Sequence, residues 1–189
     1  MKTKGQIWIS AVLYIGLSVA VLAIVLSAGV PLINKMKDRN TILHTKQILI
    51  DIDDSINTVS GEGPGSRRVL SPVVIDKGEL KIDSTNDFLV WSYKTDAQLI
   101  DISDTKDCID DSSLVLNSDC ISEQEGNVIL FQEKTIVKDE FITYLVLKYK
   151  GSKDIQLEPA IPSELKGRFT FKIENAATGS IPVIKIQVS

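Results

Sequence analysis

The stretch that decides the fold lies at residues 7–33, which read IWISAVLYIGLSVAVLAIVLSAGVPLI without one charged side chain. As an α-helix, these 27 residues extend about 40 Å, because the rise is about 1.5 Å per residue. The hydrocarbon core of a bilayer is about 30 Å thick and needs about 20 apolar residues to span it. The segment therefore predicts a helix that can cross a membrane.

The apolar segment is too long for the hydrophobic region of a secretory signal peptide, which has about 7–15 residues. The nearest small-residue cleavage motif, Leu26-Ser27-Ala28, is poor because Leu occupies the position three residues before the cut. We therefore expect the helix to stay on the mature chain. The basic flank and the Gly5–Gln6 junction suggest that only residues 1–5 are removed as a leader.

The residues before the apolar run carry a family resemblance. Lys2, Lys4, Gly5 and Gln6 precede it directly, and this arrangement resembles the class III signal peptide of archaeal type IV pilin-like proteins and archaellins. The resemblance covers about residues 1–60. It implies a processing site at Lys4, Gly5 and Gln6, where a prepilin peptidase cuts after Gly5 on the cytoplasmic side of the membrane. It also implies that the mature helix then packs with its copies in the core of a filament.

One position departs from the commonest pilin pattern. Many pilins have Glu at the fifth mature position, and this chain has Ser10 there. Archaeal members often lack the acid, so the departure favours the archaeal branch of the family over a bacterial-type major pilin.

Small residues occupy one face of the apolar helix at spacings of four, three and four. They are Gly16, Ala20, Ala23 and Ser27. Such residues let helix backbones approach closely, so we interpret them as the face that packs against neighbouring subunits. The alternative is that small residues are common in any membrane helix. Gly29 and Pro31 then predict an interruption, because proline removes a helical hydrogen bond and kinks the preceding turn.

Residues 34–60 predict an amphipathic continuation of the helix. Its apolar stripe consists of Ile42, Leu49, Ile52, Ile56 and Val59. We expect the charged residues on other faces, namely Lys46, Asp51, Asp53 and Asp54. The Gly- and Pro-rich residues 61–66 end the helix. The stripe needs a cover, and the domain that follows is the candidate.

After Ser66 the hydrophobic period changes to two, which predicts eight or nine short strands in a β-rich extracytoplasmic head over residues 67–189. Asp76-Lys77-Gly78 predicts a hairpin turn between strands at 69–75 and 79–83. Residues 141–150 are apolar on both faces and predict a central strand. The other predicted strands are 88–94, 97–102, 128–133, 135–138, 169–173 and 184–188. The expected fold class is α+β, with a long N-terminal helix and an antiparallel, β-sandwich-like head.

The charge balance excludes some classes of function. From Gln6 onward the net charge is 19 − 25 = −6, so the chain repels nucleic acid, and we expect no nucleic-acid partner.

The single histidine, His44, is expected to be a polar residue of the helix, and the sequence has no nucleophile elbow or phosphate-binding glycine loop. We therefore expect no catalytic residues and no cofactor. A tethered hydrolase that uses the Asp-rich loop is the enzymatic alternative.

Cys108 and Cys120 are the only cysteines, with eleven residues between them. An outward-facing domain meets an oxidising environment, so we expect a disulfide, with free thiols and metal binding as alternatives. Asp104 and Asp107 lie in the same acidic loop and offer oxygen ligands for calcium. The loop does not match the EF-hand pattern, so a solvated loop without a metal is the expected state.

Two functions remain after these exclusions. The first is a structural subunit of a homo-oligomeric, extracellular type IV pilus-like filament, with the prepilin peptidase as a second partner. The alternative is a membrane-anchored extracytoplasmic β-domain that acts as a binding module or as a pseudopilin-like part of a secretion apparatus. In both, the precursor is inserted in the cytoplasmic membrane. In the first, the mature chain is exposed on the cell surface.

Overall fold

The computed structural model describes residues 4–83, 87–100, 123–135, 140–149, 154–157, 165–177, 179 and 181–189. Within them the chain forms one helix followed by eight strands. The elements are α1 (Lys4–Glu62), β1 (Arg67–Asp83), β2 (Phe88–Thr95), β3 (Glu123–Glu125), β4 (Val128–Lys134), β5 (Phe141–Lys148), β6 (Asp154–Leu157), β7 (Leu165–Asn175) and β8 (Val183–Val188). The expected α+β class, a long N-terminal helix followed by a sheet-built head, is confirmed. The chain divides into two compact units, Met1–Asn40 and Thr41–Ser189.

Helix α1 is one continuous element. It runs through Gly29 and Pro31, so these residues do not end the helix, and the kink expected there stays a prediction. It ends at Glu62, as the Gly- and Pro-rich run predicts. Gly63 and Gly65 follow with φ angles of 92° and 87°, a conformation that glycine adopts without the Cβ penalty.

The eight strands form one sheet in the order β3-β4-β5-β2-β1-β7-β8-β6. Seven of them pair antiparallel, and β6 pairs parallel with β8. Strand β5 lies between β4 and β2, which confirms its predicted interior position. The sequence reading missed β3 and β6, which have three and four residues and show too few positions for a period of two to be visible.

The main core lies between the sheet and the second half of α1. The five predicted stripe residues of the helix are all buried, at 4% exposure or less. They belong to one apolar cluster with Leu80, Trp91 and Leu145, which the register places in one row across the sheet. Because neighbours in a row share a face, the cluster identifies the face that the helix segment covers.

A smaller apolar cluster lies on the opposite face of β2, β4 and β5. Its buried members are Phe88, Val90, Ile129, Phe131 and Val146. Tyr144 stacks on Phe131 at a ring-centroid distance of 4.9 Å. Strands β2, β4 and β5 are therefore buried on both faces, which explains why their sequences read as nearly continuous apolar runs.

The predicted hairpin turn at Asp76-Lys77-Gly78 is wrong. These residues lie inside the continuous strand β1, whose first part pairs with β7 and whose last part pairs with β2. The register shifts between Ile75 and Leu80, so the glycine marks an irregularity in one strand. Gly78 has a φ of 77°, and the Trp91 indole, which donates to the Lys77 carbonyl at 2.9 Å, lies directly beside it.

The strand predicted at 97–102 is also wrong over its described part, since 97–100 is irregular. The buried side chain of Gln132 takes the place of a neighbouring strand. Its Oε1 accepts from the amides of Leu99 and Ile100, at 3.0 and 3.4 Å, and its Nε2 donates to the Ala97 carbonyl at 3.3 Å. One side chain thus satisfies backbone groups that a strand would pair in a ladder.

Replacing Gly78 by alanine tests the role of this irregularity. An added Cβ would lie 2.5 Å from the backbone oxygen of Ser92 and 2.7 Å from the indole nitrogen of Trp91, at a φ that alanine disfavours. We expect Gly78→Ala to lower the free energy of unfolding by about 3 kcal/mol. Urea unfolding of the full chain in detergent, followed by Trp91 fluorescence in a Trp8→Phe background, measures the change.

Gly167→Ala is the matched control, because Gly167 has a φ of 107° in the same sheet but open space around its Cα. It carries only the backbone strain, of about 1 kcal/mol. Equal losses in the two variants would show that the contact with Trp91 and Ser92 is unimportant.

Candidate functional site

The first unit presents apolar surface over residues 8–33. From Trp8 to Asn40, every residue except Gly29 and Asp38 is exposed. The large apolar side chains of this segment are 50–75% exposed, with Trp8 at the upper limit. Soluble monomers rarely expose so continuous an apolar surface. By length and composition, α1 is long and apolar enough to cross a membrane.

The four small residues predicted to form a packing face lie within this exposed segment. Open space surrounds the Cα of Gly16. The Ser27 hydroxyl donates to the Ile24 carbonyl at 2.9 Å, so its polar group is satisfied within the helix. A satisfied hydroxyl can enter an apolar environment at little cost, and the face is therefore chemically suited to lipid or to another helix.

The second half of α1 carries two buried charged residues, which corrects the sequence reading. Lys46 and Asp53 were expected on polar faces of the helix, but each is only 8% exposed. Asp51 and Asp54 are exposed, as expected. The helical spacing explains the difference, because Lys46 is four residues after Ile42, and Asp53 is four residues after Leu49. Both charges therefore belong to one edge of the apolar stripe.

Lys46 binds the edge strand β3. Its Nζ lies 2.6 Å from Glu123 Oε1 and 2.9 Å from Glu125 Oε2. The register places both glutamates on the core face of the sheet, in the rows of Leu130 and Val128. Burial alone would lower the pKa of Lys46, but the two carboxylates outweigh it and raise the pKa above its ordinary value.

Asp53 binds the turn between β3 and β4 and the residue that follows β5. Its Oδ1 accepts a hydrogen bond from the buried Tyr149 hydroxyl and one from Asn127 Nδ2 at 3.0 Å. Tyr149 is buried, at 2% exposure. Burial, reinforced by the hydrogen bond to Asp53 and by the negative charges of Asp53 and Asp54, raises the pKa of Tyr149 far above its ordinary value.

These contacts together form what we name the polar clasp. It consists of Lys46 and Asp53 on the helix and Glu123, Glu125, Asn127 and Tyr149 on the sheet. The apolar stripe can slide or rotate at modest cost, whereas hydrogen bonds to charged groups depend strictly on distance and angle. The clasp therefore fixes the register of the helix on the sheet.

A second attachment holds the end of α1. The Asn175 side chain donates to the Val59 carbonyl at 3.3 Å, and the Ser66 hydroxyl donates to the same carbonyl at 2.6 Å. These bonds satisfy a carbonyl of the last helical turns that has no helical donor. They also join the helix end to β7, whose last residue is Asn175.

Several predicted site residues lie beyond what the structure describes. Cys108 and Cys120, and the acidic pair Asp104 and Asp107, fall in residues 101–122, so the disulfide and the calcium alternative stay predictions. In the described ranges, no three His, Cys, Asp or Glu side chains converge as a metal site would require. His44 is an exposed residue of α1, as predicted. The side chains of Lys4, Gly5 and Gln6 lie outside the described residues as well.

No family model, curated protein or solved structure matches this chain.

Tyr149→Phe tests the polar clasp. The substitution keeps the ring but removes one of the two side-chain donors that bind the buried Asp53 carboxylate within the described residues, and Asn127 remains. Hydrogen bonds to charged groups are worth about 1.5–3 kcal/mol, and we expect a loss of about 2 kcal/mol in the free energy of unfolding. Urea unfolding of the full chain in detergent at neutral pH measures it.

The same urea unfolding, repeated at alkaline pH, gives a second readout. Because the pKa of Tyr149 is raised in the folded state, the unfolded chain releases this proton first as the pH rises above about 10. The stabilisation is complete below that pH and is lost above it, by up to about 1.4 kcal/mol per pH unit. In Tyr149→Phe, the free energy of unfolding should fall less steeply with pH above about 10, because only Lys46 and other groups then contribute to the fall.

Tyr93→Phe is the control, since the Tyr93 hydroxyl makes an exposed bond with Lys77 at 3.2 Å. We expect a change within about 0.5 kcal/mol for this surface substitution. A Tyr149→Phe chain as stable as this control, with an unchanged alkaline slope, would contradict the role given to the clasp.

Proposed function

We propose that the chain is a structural subunit of an extracellular type IV pilus-like filament. A prepilin peptidase cuts the membrane-inserted precursor after Gly5, and the helix that begins at Gln6 then assembles with its copies. The observation that carries the proposal is the contrast within α1. Its second half is covered by the sheet of its own chain, whereas residues 8–33 are uncharged, mostly apolar and exposed except at Gly29.

The physical argument is one of burial. Apolar surface removed from water stabilises by about 25 cal/mol per Å², so an exposed helix of this composition requires a cover. Lipid provides it in the precursor, and identical helices provide it in a filament core. The small-residue face supports packing in a filament core, because it lets the backbones of neighbouring helices approach closely once lipid is gone.

The rest of the molecule is consistent with a structural role. The described residues present no converging group of metal-binding side chains, and the charged residues of the head interior serve the attachment of the helix. The sheet is thereby fixed to the second half of α1. A membrane-anchored binding or secretion component shares all these features up to cleavage, so the cut after Gly5 distinguishes the two functions.

Cleavage is the first test. We expect mass spectrometry of the surface material to find a mature chain that starts at Gln6, and electron microscopy with antibody to the head to label thin filaments. In Gly5→Val the peptidase loses the small residue before the cut, so uncut precursor should accumulate in the membrane with no labelled filaments.

Thr3→Ser is the matched leader control and should be processed and assembled as the wild-type chain. A wild-type chain that starts at Met1, with diffuse envelope labelling, would reject the filament and support the anchored module.

The small-residue face gives a second test. Ala20→Leu adds a branched side chain at the centre of this face, and we expect filament yield to fall at least tenfold because helices can no longer approach closely. Membrane insertion and cleavage after Gly5 should be unaffected, since leucine suits a membrane helix. Immunoblots of sheared filaments and of membranes measure both.

Val19→Leu places a similar bulk on a different face and should assemble normally. If Ala20→Leu assembles as well as this control, the small residues do not form the packing face.

A further inference from the structure

The outer face of β1, β7 and β8, opposite the side that the helix covers, is rich in positive charge. Antiparallel register and alternation place five bases there, which we name the basic face: Arg67, Lys166, Arg168, Lys172 and Lys185. The basic face comprises β7, β8 and the part of β1 that pairs with β7 (67–75), and in the described residues of these segments Glu174 is the one acid on this side, opposite Arg67 and Lys185. The last part of β1, which carries Glu79, Lys81 and Asp83 on the same side, lies outside it. The net charge of the face is 5 − 1 = +4.

Most of this charge is available to a partner. Arg67, Lys166 and Arg168 are exposed, and no hydrogen bond or ion pair is found for them within the described part of the chain. Lys172 is engaged, at 2.9 Å from Gln187 and 3.5 Å from Glu174. The whole chain has a net charge of −4, so the remainder of the molecule carries −4 − 4 = −8. The basic face is therefore a local reversal of the overall sign.

The complementary charge is present on the same molecule. Four exposed carboxylates, which we name the acidic flank, lie on α1 and on β3: Asp51, Asp54, Glu123 and Glu125. The side chains of Glu123 and Glu125 are 57% and 62% exposed even while they bind Lys46. Lys46 is the one base among them, so the flank keeps a net charge of 1 − 4 = −3.

The two surfaces cannot meet within one chain. Strand β3 is one edge of the sheet, and β7 is five strands away in the order, about 24 Å at about 4.8 Å per strand. The acidic flank also belongs to the helix side of the sheet, and the basic face to the opposite side. A contact that joins two different surfaces of two copies is heterologous, and repetition of such a contact builds an open helical assembly.

We propose that the basic face of one head docks on the acidic flank of a second copy, head to tail along the filament. This interface rests on the proposed filament function and gives the heads a part in assembly beside the apolar helices. Packing of the helices places the heads at high local concentration, so a contact that would be weak between free heads becomes populated. Opposite charge then sets which surfaces meet.

The apolar content of the basic face favours a protein partner over a free polyanion. Val69 is 57% exposed and lies opposite Lys172, and Val74 lies opposite Arg168. Charged groups around exposed apolar side chains resemble the composition of protein–protein interfaces, in which arginine is enriched.

Charge reversal in the full chain tests the interface. We expect Arg168→Glu to lower the yield of sheared filaments at least fivefold, with cleavage after Gly5 and the urea midpoint of the detergent-solubilised chain unchanged. Asp54→Arg should give a similar loss. The double variant Arg168→Glu/Asp54→Arg restores opposite signs across the contact, and its yield should return to within twofold of the wild type.

The control is Lys94→Glu, the same change of charge at an exposed position of β2, which should assemble normally. Arg168→Glu filaments at wild-type yield would overturn the interface and leave the filament intact. If the double variant Arg168→Glu/Asp54→Arg yields as few filaments as Arg168→Glu alone, the basic face binds another anionic partner. That result would also overturn the proposed interface. A wild-type chain without filaments would overturn the interface and the filament function together.

Discussion

Burial of the apolar surface of α1 is the constraint on which the rest of the structure depends. One continuous helix carries two different hydrophobic patterns, apolar on all sides over residues 7–33 and a single stripe from Ile42 to Val59. The stripe is satisfied inside the chain, because one face of the sheet covers it. The first pattern is exposed throughout its described side chains except at Gly29. An element of this kind is stable only where something else, lipid or protein, completes it.

The charged side chains give this arrangement its geometry. Hydrophobic burial has no direction, so the stripe alone would hold the helix on the sheet in several rotations. Lys46 and Asp53 remove that freedom, because each reaches a fixed group on β3 or beside β4 and β5. The carboxylates of β3 do so at a sheet edge, where charged residues also discourage pairing with a foreign strand. Glu123 and Glu125 thus protect the sheet edge and, through Lys46, also attach the helix.

Sequence patterns predicted what is local and missed what depends on distant partners. The stripe and most strands were found, because periods of 3.6 and two are visible in the chain itself. The charges of Lys46 and Asp53 predict polar faces, whereas their spacing of four from Ile42 and Leu49 is the signal that places them at the edge of the stripe. Asp76-Lys77-Gly78 has the composition of a turn, but β7 and β2 hold both sides of it in one strand. The sequence around Gln132 does not indicate that its side-chain amide binds the backbone of residues 97–100 in place of a neighbouring strand.

The position of β1 determines when the head can fold. Its first half pairs with β7, so Arg67 meets Glu174 across more than half the length of the chain. Contacts between such distant residues form late and slowly, because the loop must close before any contact stabilises it. Asn175, which secures the end of the helix, lies 116 residues after Val59, whose carbonyl it binds. During synthesis, the apolar stripe of α1 therefore stays incompletely covered until β7 has emerged, and this interval is when the protein is most vulnerable to aggregation.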